Sequence, residues 1–318
     1  MVKKVCVVTG SRSEYGLLRL VIQKIKDSPD LDLQLVATGS HLSPEFGLTV
    51  REIERDGFTI DRRMEMLLSS DTSPAVSKSL GLGVIGFADA LEEFRPDILL
   101  ILGDRYEIFS AATAAMIARV PIAHIHGGER TESSVDDAIR HAITKMSHLH
   151  FVAADEYRTR VIQMGEQPAR VFNVGGLGVE AVKRTPLMSR QELERFLGVA
   201  LADPVFLVTY HPVTLDPAAS VAEFSEMLEA FKLMDGAQFI FTMPNADTDG
   251  RVIADMIETF CRDHSRSYSY QSMGQVAYIS LMSQVSGVVG NSSSGLLEAP
   301  AVGVGTINIG ARQEGRLK

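Results

Sequence analysis

The residues best suited to chemistry sit in short polar clusters that each follow an apolar run. Gly290-Asn291-Ser292-Ser293-Ser294-Gly295 is the strongest. Small hydroxyl residues between glycines, opening a helix, offer the amides and hydroxyls that cradle a phosphate. A plain helix cap needs one Ser, and three flanked by Gly exceed that need. Glu298, one turn into the same helix, is placed to take ribose hydroxyls. Gly310-Ala311-Arg312-Gln313-Glu314-Gly315-Arg316 then brings two cations on a loop, as a diphosphate requires. His211-Pro212-Val213-Thr214 follows another apolar run, where a lone His is more often structural than catalytic.

The first half of the chain carries carboxylates and histidines. Gly103-Asp104-Arg105-Tyr106-Glu107 puts an Asp at a strand tip beside an Arg, which fits catalysis, ligand binding or a helix N-cap. His124-Ile125-His126-Gly127-Gly128-Glu129 is the densest polar cluster; residues 124 and 126 share one face of a strand, so a metal pair is conceivable. His148-Leu149-His150 repeats that spacing, but a zinc site needs third and fourth ligands that no spacing shows. Glu129, after two glycines, is expected on an open loop. Asp136, Asp137, Arg140 and His141 follow on a helix, where a surface ion pair explains Asp137 with Arg140 equally well. Thr9-Gly10-Ser11-Arg12-Ser13-Glu14-Tyr15-Gly16 also opens a helix, so its Gly, its helix N-terminus and Arg12 are expected to favour an anion. A bland N-cap loop explains it equally well. It is neither a Walker loop nor the dinucleotide glycine fingerprint, so NAD and ATP are not supported.

These clusters must be held by elements, and the chain alternates them throughout. Short apolar runs at 5–8, 33–36, 98–102, 122–125, 149–152 and 171–174 read as buried strands; helical stretches at 14–26, 76–94, 107–118, 136–145 and 156–164 separate them. A second series has strands at 205–209, 239–242, 285–289 and 304–309, with helices at 221–233, 251–261 and 275–282. Thr185-Pro186, Asp203-Pro204 and Asp216-Pro217 break it. The reading is an α/β protein of two doubly wound Rossmann-like domains, 1–174 and 175–318, with ligands at the carboxyl ends of the strands.

Composition narrows the partners. The chain has 318 residues and a formal charge of −9, which argues against a nucleic-acid or membrane-surface binder. No segment has the ~20 apolar residues that span a bilayer. Two cysteines, Cys6 and Cys261, are too few for a disulfide framework, so a reducing cytoplasm is expected. No stripe marks a homo-oligomer interface, although such folds often associate.

Taken in order, TGSRSEYG (9–16), LGDRYEIF (102–109), HIHGGE (124–129), DDAIRHAITK (136–145), YHPVT (210–214), GNSSSG (290–295) and INIGARQEGR (307–316) resemble the hydrolysing UDP-N-acetylglucosamine 2-epimerases. The resemblance runs over nearly the whole chain and implies a GT-B fold with UDP held mainly by the second domain, and no metal or cofactor. It implies that a base removes the proton on sugar carbon 2 as UDP leaves carbon 1, after which water adds to the resulting glycal. By the same resemblance Asp104 and Asp136 are the catalytic carboxylates. Arg12, Arg105, His211, Asn291, Ser292, Ser293, Glu298 and Arg312 are the UDP-sugar contacts.

Two departures from the family pattern stand out. Many relatives carry Glu at the position of His126, so His126 or Glu129 is expected to take the third acid/base role. Family members also continue for some tens of residues beyond the GARQEGR loop, which implies a C-terminally truncated second domain with a frayed last strand. Three other readings stay open: the same reaction on UDP-diacetamidobacillosamine, a GT-B glycosyltransferase, and a non-catalytic nucleotide-sugar binding module.

Overall fold

The structure is a computed structural model that describes residues 2–131, 135–213, 217–244 and 250–317. Thr214 of the YHPVT stretch and Asp216 of the Asp216-Pro217 break lie outside the described residues.

The chain divides into two compact units, Met1–Arg130 with Val135–Leu177, and Thr131–Ser134 with Gly178–Lys318. In chain order the first unit contains β1 (Lys3–Thr9), α1 (Arg12–Lys26), β2 (Leu31–Thr38), α2 (Val50–Arg55), β3 (Arg62–Met64), α3 (Ser73–Phe94), β4 (Ile98–Leu102) and α4 (Tyr106–Ala118). It continues with β5 (Ile122–Ile125), α5 (Val135–Met146), β6 (Leu149–Val152), α6 (Asp155–Gln163) and β7 (Val171–Asn173). The helix α7 (Leu177–Arg184) follows. The second unit then holds α8 (Arg190–Leu197), β8 (Val205–Thr209), α9 (Pro217–Lys232), β9 (Gln238–Thr242), α10 (Gly250–Asp263), β10 (Ser267–Tyr270), α11 (Gly274–Met282), β11 (Gly287–Gly290), α12 (Ser293–Val302) and β12 (Thr306–Asn308).

Both sheets are parallel, in the orders β3-β2-β1-β4-β5-β6-β7 and β10-β9-β8-β11-β12. Each is buried on both faces, which is why the strands read as unbroken apolar runs. Along β1, Cys6 and Val8 join a core with Phe87, Leu99, Ile101 and Ile108, while Val5 and Val7 join another with Leu18, Ile22, Leu35 and Ile53. Along β8, Val208 packs with Phe224, Phe239 and Phe260, and Leu207 with Leu193, Ile240 and Leu281. Each such side chain stabilises the fold by roughly 1.5–3 kcal/mol of apolar transfer.

Strands β3 and β10 depart from the sequence reading. Both are edge strands, Arg-Arg-Met and Ser-Tyr-Ser-Tyr, and an edge strand with one neighbour needs no apolar run. Helices α2, α7 and α8, of six to eight residues, are too short for a periodic pattern to show. The last strand, β12, pairs in register with β11 from Val288↔Thr306 to Gly290↔Asn308.

In each sheet the strand order reverses once, between β1 and β4 and between β8 and β11, and loops leaving such points form ligand crevices. The clusters at 9–16, 102–109, 210–214 and 290–295 leave these four strands.

Candidate active site

In the first unit the β1 loop is largely closed by its own side chains. Ser11 caps α1, its Oγ accepting from the Glu14 amide at 3.5 Å. Glu14 folds back, and its Oε2 accepts from the Gly10 amide at 2.7 Å. The N-cap reading therefore holds for Ser11, and any charge contact to an anion from this loop comes from Arg12 in the first turn. Glu14 is buried beside Glu107 of α4; burial first, and the Glu107 charge second, push its pKa up to about 8. His41 bridges Thr9 Oγ1 (3.0 Å) and Thr49 Oγ1 (2.8 Å), and burial drives its pKa down to about 3.

Asp104 leaves β4 but does not cap α4. The N-cap position belongs to Arg105, and no side chain caps there. The Asp104 carboxylate instead accepts from Arg140 Nη2 of α5. Arg140 is 2% exposed, so the expected surface pair with Asp137 is a buried junction. Its Nη1 donates to the Glu129 carbonyl at 3.0 Å and lies 3.7 Å from Asp137 Oδ1. One guanidinium thus joins the β4 loop, the β5 loop and α5. Asp136, half-buried in the first turn of α5, is four residues before Arg140 and so lies on the same side of the helix. Arg105 donates to Glu107 Oε1 at 3.1 Å.

The two histidines of HIHGGE part company. Strand β5 ends at Ile125, and His126 has φ +63°, a left-handed backbone that breaks the alternation expected to align it with His124. His124 Nε2 hydrogen-bonds the Gly103 carbonyl at 2.7 Å, so that nitrogen carries the proton; burial pushes its pKa down to about 3. His126 Nε2 accepts from the Leu177 amide at 3.3 Å, which leaves the Nδ1 proton to face Glu129 Oε1, also at 3.3 Å. Glu129 is buried rather than on an open loop. His148 Nδ1 accepts from the Ile122 amide, and His150 Nε2 meets Glu166. Among the described residues, no three His, Cys, Asp or Glu side chains are grouped to hold a metal ion.

In the second unit Asn291 is the organising residue. Its Oδ1 accepts from the His211 amide at 2.8 Å and its Nδ2 donates to the His211 carbonyl at 2.7 Å. The Asn291 carbonyl accepts from Gln313 Nε2 (2.6 Å) and Arg312 Nη1 (3.3 Å), so the C-terminal cation loop is tied to the same point. Gly290, at φ +136°, lies so close to the Thr209 carbonyl that a Cβ would run into it. Ser292 caps α12 through the Ser294 amide, and Ser294 is held by Ser292 and Tyr278. The side chain of Ser293, the first helical residue, makes no hydrogen bond among the described residues. Glu298 packs against Gly178, where any side chain would strike its carboxylate.

Every site residue read from the sequence therefore falls at a strand-end loop, in the helix following one, or in the loop after β12. Arg140, Glu14 and Glu107 were not read as site residues. The signal for Arg140 was its spacing of three and four from two acids; Glu14 and Glu107 sit in the first turns of the helices that follow the first unit's two switch-point strands.

Two doubly wound parallel units in one chain, the second with a hydroxyl-rich helix start at its switch point, give the chain a GT-B-like α/β fold. The structure is similar to that of UDP-GlcNAc 2-epimerase from Neisseria meningitidis bound to UDP-GlcNAc, with TM-score 0.77 and 19% identity over 96% of this chain and 82% of that one. A family model for UDP-N-acetylglucosamine 2-epimerase matches residues 23–318. The chain is 41% identical to the GDP/UDP-N,N'-diacetylbacillosamine 2-epimerase (hydrolyzing) of Campylobacter jejuni, over 99% of this chain and 82% of that protein. It is 39% identical to polysialic acid biosynthesis protein P7 of Escherichia coli, over 99% and 81%. The chain belongs to the UDP-N-acetylglucosamine 2-epimerase family, on its hydrolysing branch, and is an enzyme of the UDP-sugar 2-epimerase class. No helix among the described residues is long and apolar enough to cross a membrane.

Proposed function

We propose that the enzyme converts UDP-N-acetylglucosamine and water to N-acetylmannosamine and UDP. The observation that carries this reading is the Arg140 junction, which fixes Asp104 at a strand tip on the side of α5 that bears Asp136. Two carboxylates on one rigid support suit a reaction that removes a proton from sugar carbon 2 and later returns one. In the proposed course one of them takes the carbon 2 proton while the carbon 1–oxygen bond breaks and UDP departs with the electron pair. Water then adds to carbon 1 of the glycal, and a proton returns to the opposite face of carbon 2. The His126–Glu129 pair, with its shared proton between them, supplies the second acid/base couple.

UDP is assigned to the second unit. Ser292 and Ser293 open α12, whose N-terminal amides favour an anion; Asn291 shapes the loop, and Arg312, tied to it, adds charge. His211 lies at the same junction, and Glu298 takes the ribose hydroxyls. Two free cysteines and a nucleotide-sugar substrate support a cytoplasmic enzyme.

The same chemistry on UDP-diacetamidobacillosamine is the second reading, favoured by the name of the 41% identical relative. NMR in deuterated water with each substrate separates them. Deuterium at carbon 2 of free N-acetylmannosamine, with faster turnover of UDP-N-acetylglucosamine, supports the first. Preference for the diacetamido sugar assigns the second. Interconversion without release of UDP, or binding without turnover, would sink both.

A further inference from the structure

We propose that the outward face of α3 is an interface between two copies of this chain, in which the two α3 helices pack antiparallel across a two-fold axis.

The face is a single narrow stripe. Lys78, Leu82, Ile85 and Asp89 follow one another at spacings of four, three and four, which on a helix keeps them in one seam. All four are exposed, Leu82 at 44% and Ile85 at 65%, while the helix buries Ser79, Gly83, Phe87 and Ala90 on its other side. Two adjacent aliphatic side chains left in water at the middle of a 22-residue helix are surface for a partner to cover. The sequence hides this stripe, because Leu80, Val84 and Phe87 interleave with it and the whole stretch reads as apolar.

The order of the four residues selects the partner. Read in either direction, the seam runs charge, aliphatic, aliphatic, charge, with opposite signs at its two ends. An antiparallel copy turned about the midpoint of Leu82 and Ile85 therefore sets Leu82 against the partner's Ile85 and Lys78 against the partner's Asp89, twice over. That is the self-complementarity an isologous contact requires. A parallel pairing would instead oppose lysine to lysine and aspartate to aspartate. Within one chain the two charges cannot meet, since the helix holds them about 16 Å apart. Neither enters an ion pair among the described residues.

Gly81 borders the seam, and a Cβ there would meet nothing within 4 Å. The chain's own packing thus gives no reason for a glycine in mid-helix, which is costly relative to alanine. The close approach of a second helix does.

The test is sedimentation equilibrium of the full chain at micromolar concentration. The native protein should sediment as at least a dimer. Ile85→Arg, at an exposed position, should weaken that association about a hundredfold. Lys78→Glu and Asp89→Lys should each weaken it roughly tenfold, because each creates two like-charge contacts per dimer. The double variant Lys78→Glu with Asp89→Lys should restore it, which also shows that neither change unfolds the chain. Leu233→Arg, replacing an 84% exposed side chain just after α9, should leave the mass unchanged. A monomeric native protein, or a dimer that survives Ile85→Arg, overturns the proposal. So do single charge variants that associate like the native protein or that the double variant does not rescue. Loss of the dimer in Leu233→Arg overturns it as well, by tracing association to exposed apolar side chains in general.

Discussion

The side-chain amide of Asn291 holds the His211 backbone from both sides, accepting from its N–H at 2.8 Å and donating to its C=O at 2.7 Å. The loops after β8 and β11 are locked together by a side chain that mimics a strand neighbour. Asn291→Ala leaves a buried donor and acceptor of His211 unsatisfied, at a cost of about 1–3 kcal/mol each. The variant should lose a few kcal/mol in urea unfolding and bind UDP at least tenfold more weakly. Asn291→Asp should fare no better, because its second oxygen then faces the His211 carbonyl. Native-like UDP affinity in Asn291→Ala would separate the clasp from the ligand site.

Asp104 can be removed as a charge with little loss of shape. Asp104→Asn keeps an oxygen for Arg140 Nη2 and should fold, while kcat falls by about 10²–10⁴-fold and UDP affinity changes little. Asp136→Asn, exposed to solvent on one side, should lose kcat on the same scale. Stopped-assay measurement of free UDP reads both. A variant that weakens UDP binding but retains kcat would move its residue from proton transfer to ligand contact.

How much of this was legible in the sequence follows from how each signal is encoded. Buried strands showed themselves because both faces of β4 and β5 are covered, so 98–102 and 122–125 match the structure residue for residue. The polar edge strands did not, since one neighbour and open water ask little of Arg62-Arg63-Met64. At the site, residue types and order pointed to Asp104, Asp136 and Asn291. What no spacing carries is pairing across elements: Arg140 reaches back 36 residues to Asp104, and Asn291 reaches back 80 to His211. The left-handed turn at His126 was equally hidden, and it undid the expected alignment with His124.

His126 and Glu129 are a couple, and their variants should not be additive. His126→Ala removes one partner of a buried carboxylate, and Glu129→Gln removes the negative charge that the Nδ1 proton faces. Each single change should lower kcat at least tenfold, and the double variant should be little worse than the poorer single. Full turnover in both single variants would refute any acid/base role for the couple.

Stability should peak near pH 6.5, from three buried groups acting in opposite senses. His41 and His124 have folded pKa values of about 3 against an ordinary 6.5. The unfolded chain binds more protons than the folded one between those values, so their contribution is present above pH 6.5 and is lost as pH falls toward 3. Glu14 runs the other way, with a folded pKa of about 8 against 4.5. Here the folded state holds the extra proton, so stability declines as pH rises from 4.5 and stops declining above 8. Between pH 6.5 and 8 only Glu14 titrates among the three, and its share of the decline is on the order of 1–2 kcal/mol. Urea unfolding at intervals from pH 5 to 9 should show a maximum near 6.5 in the native protein. In Glu14→Gln the acid limb should remain while the alkaline side becomes a plateau, and a native decline above pH 6.5 that persists in this variant would assign it to another group.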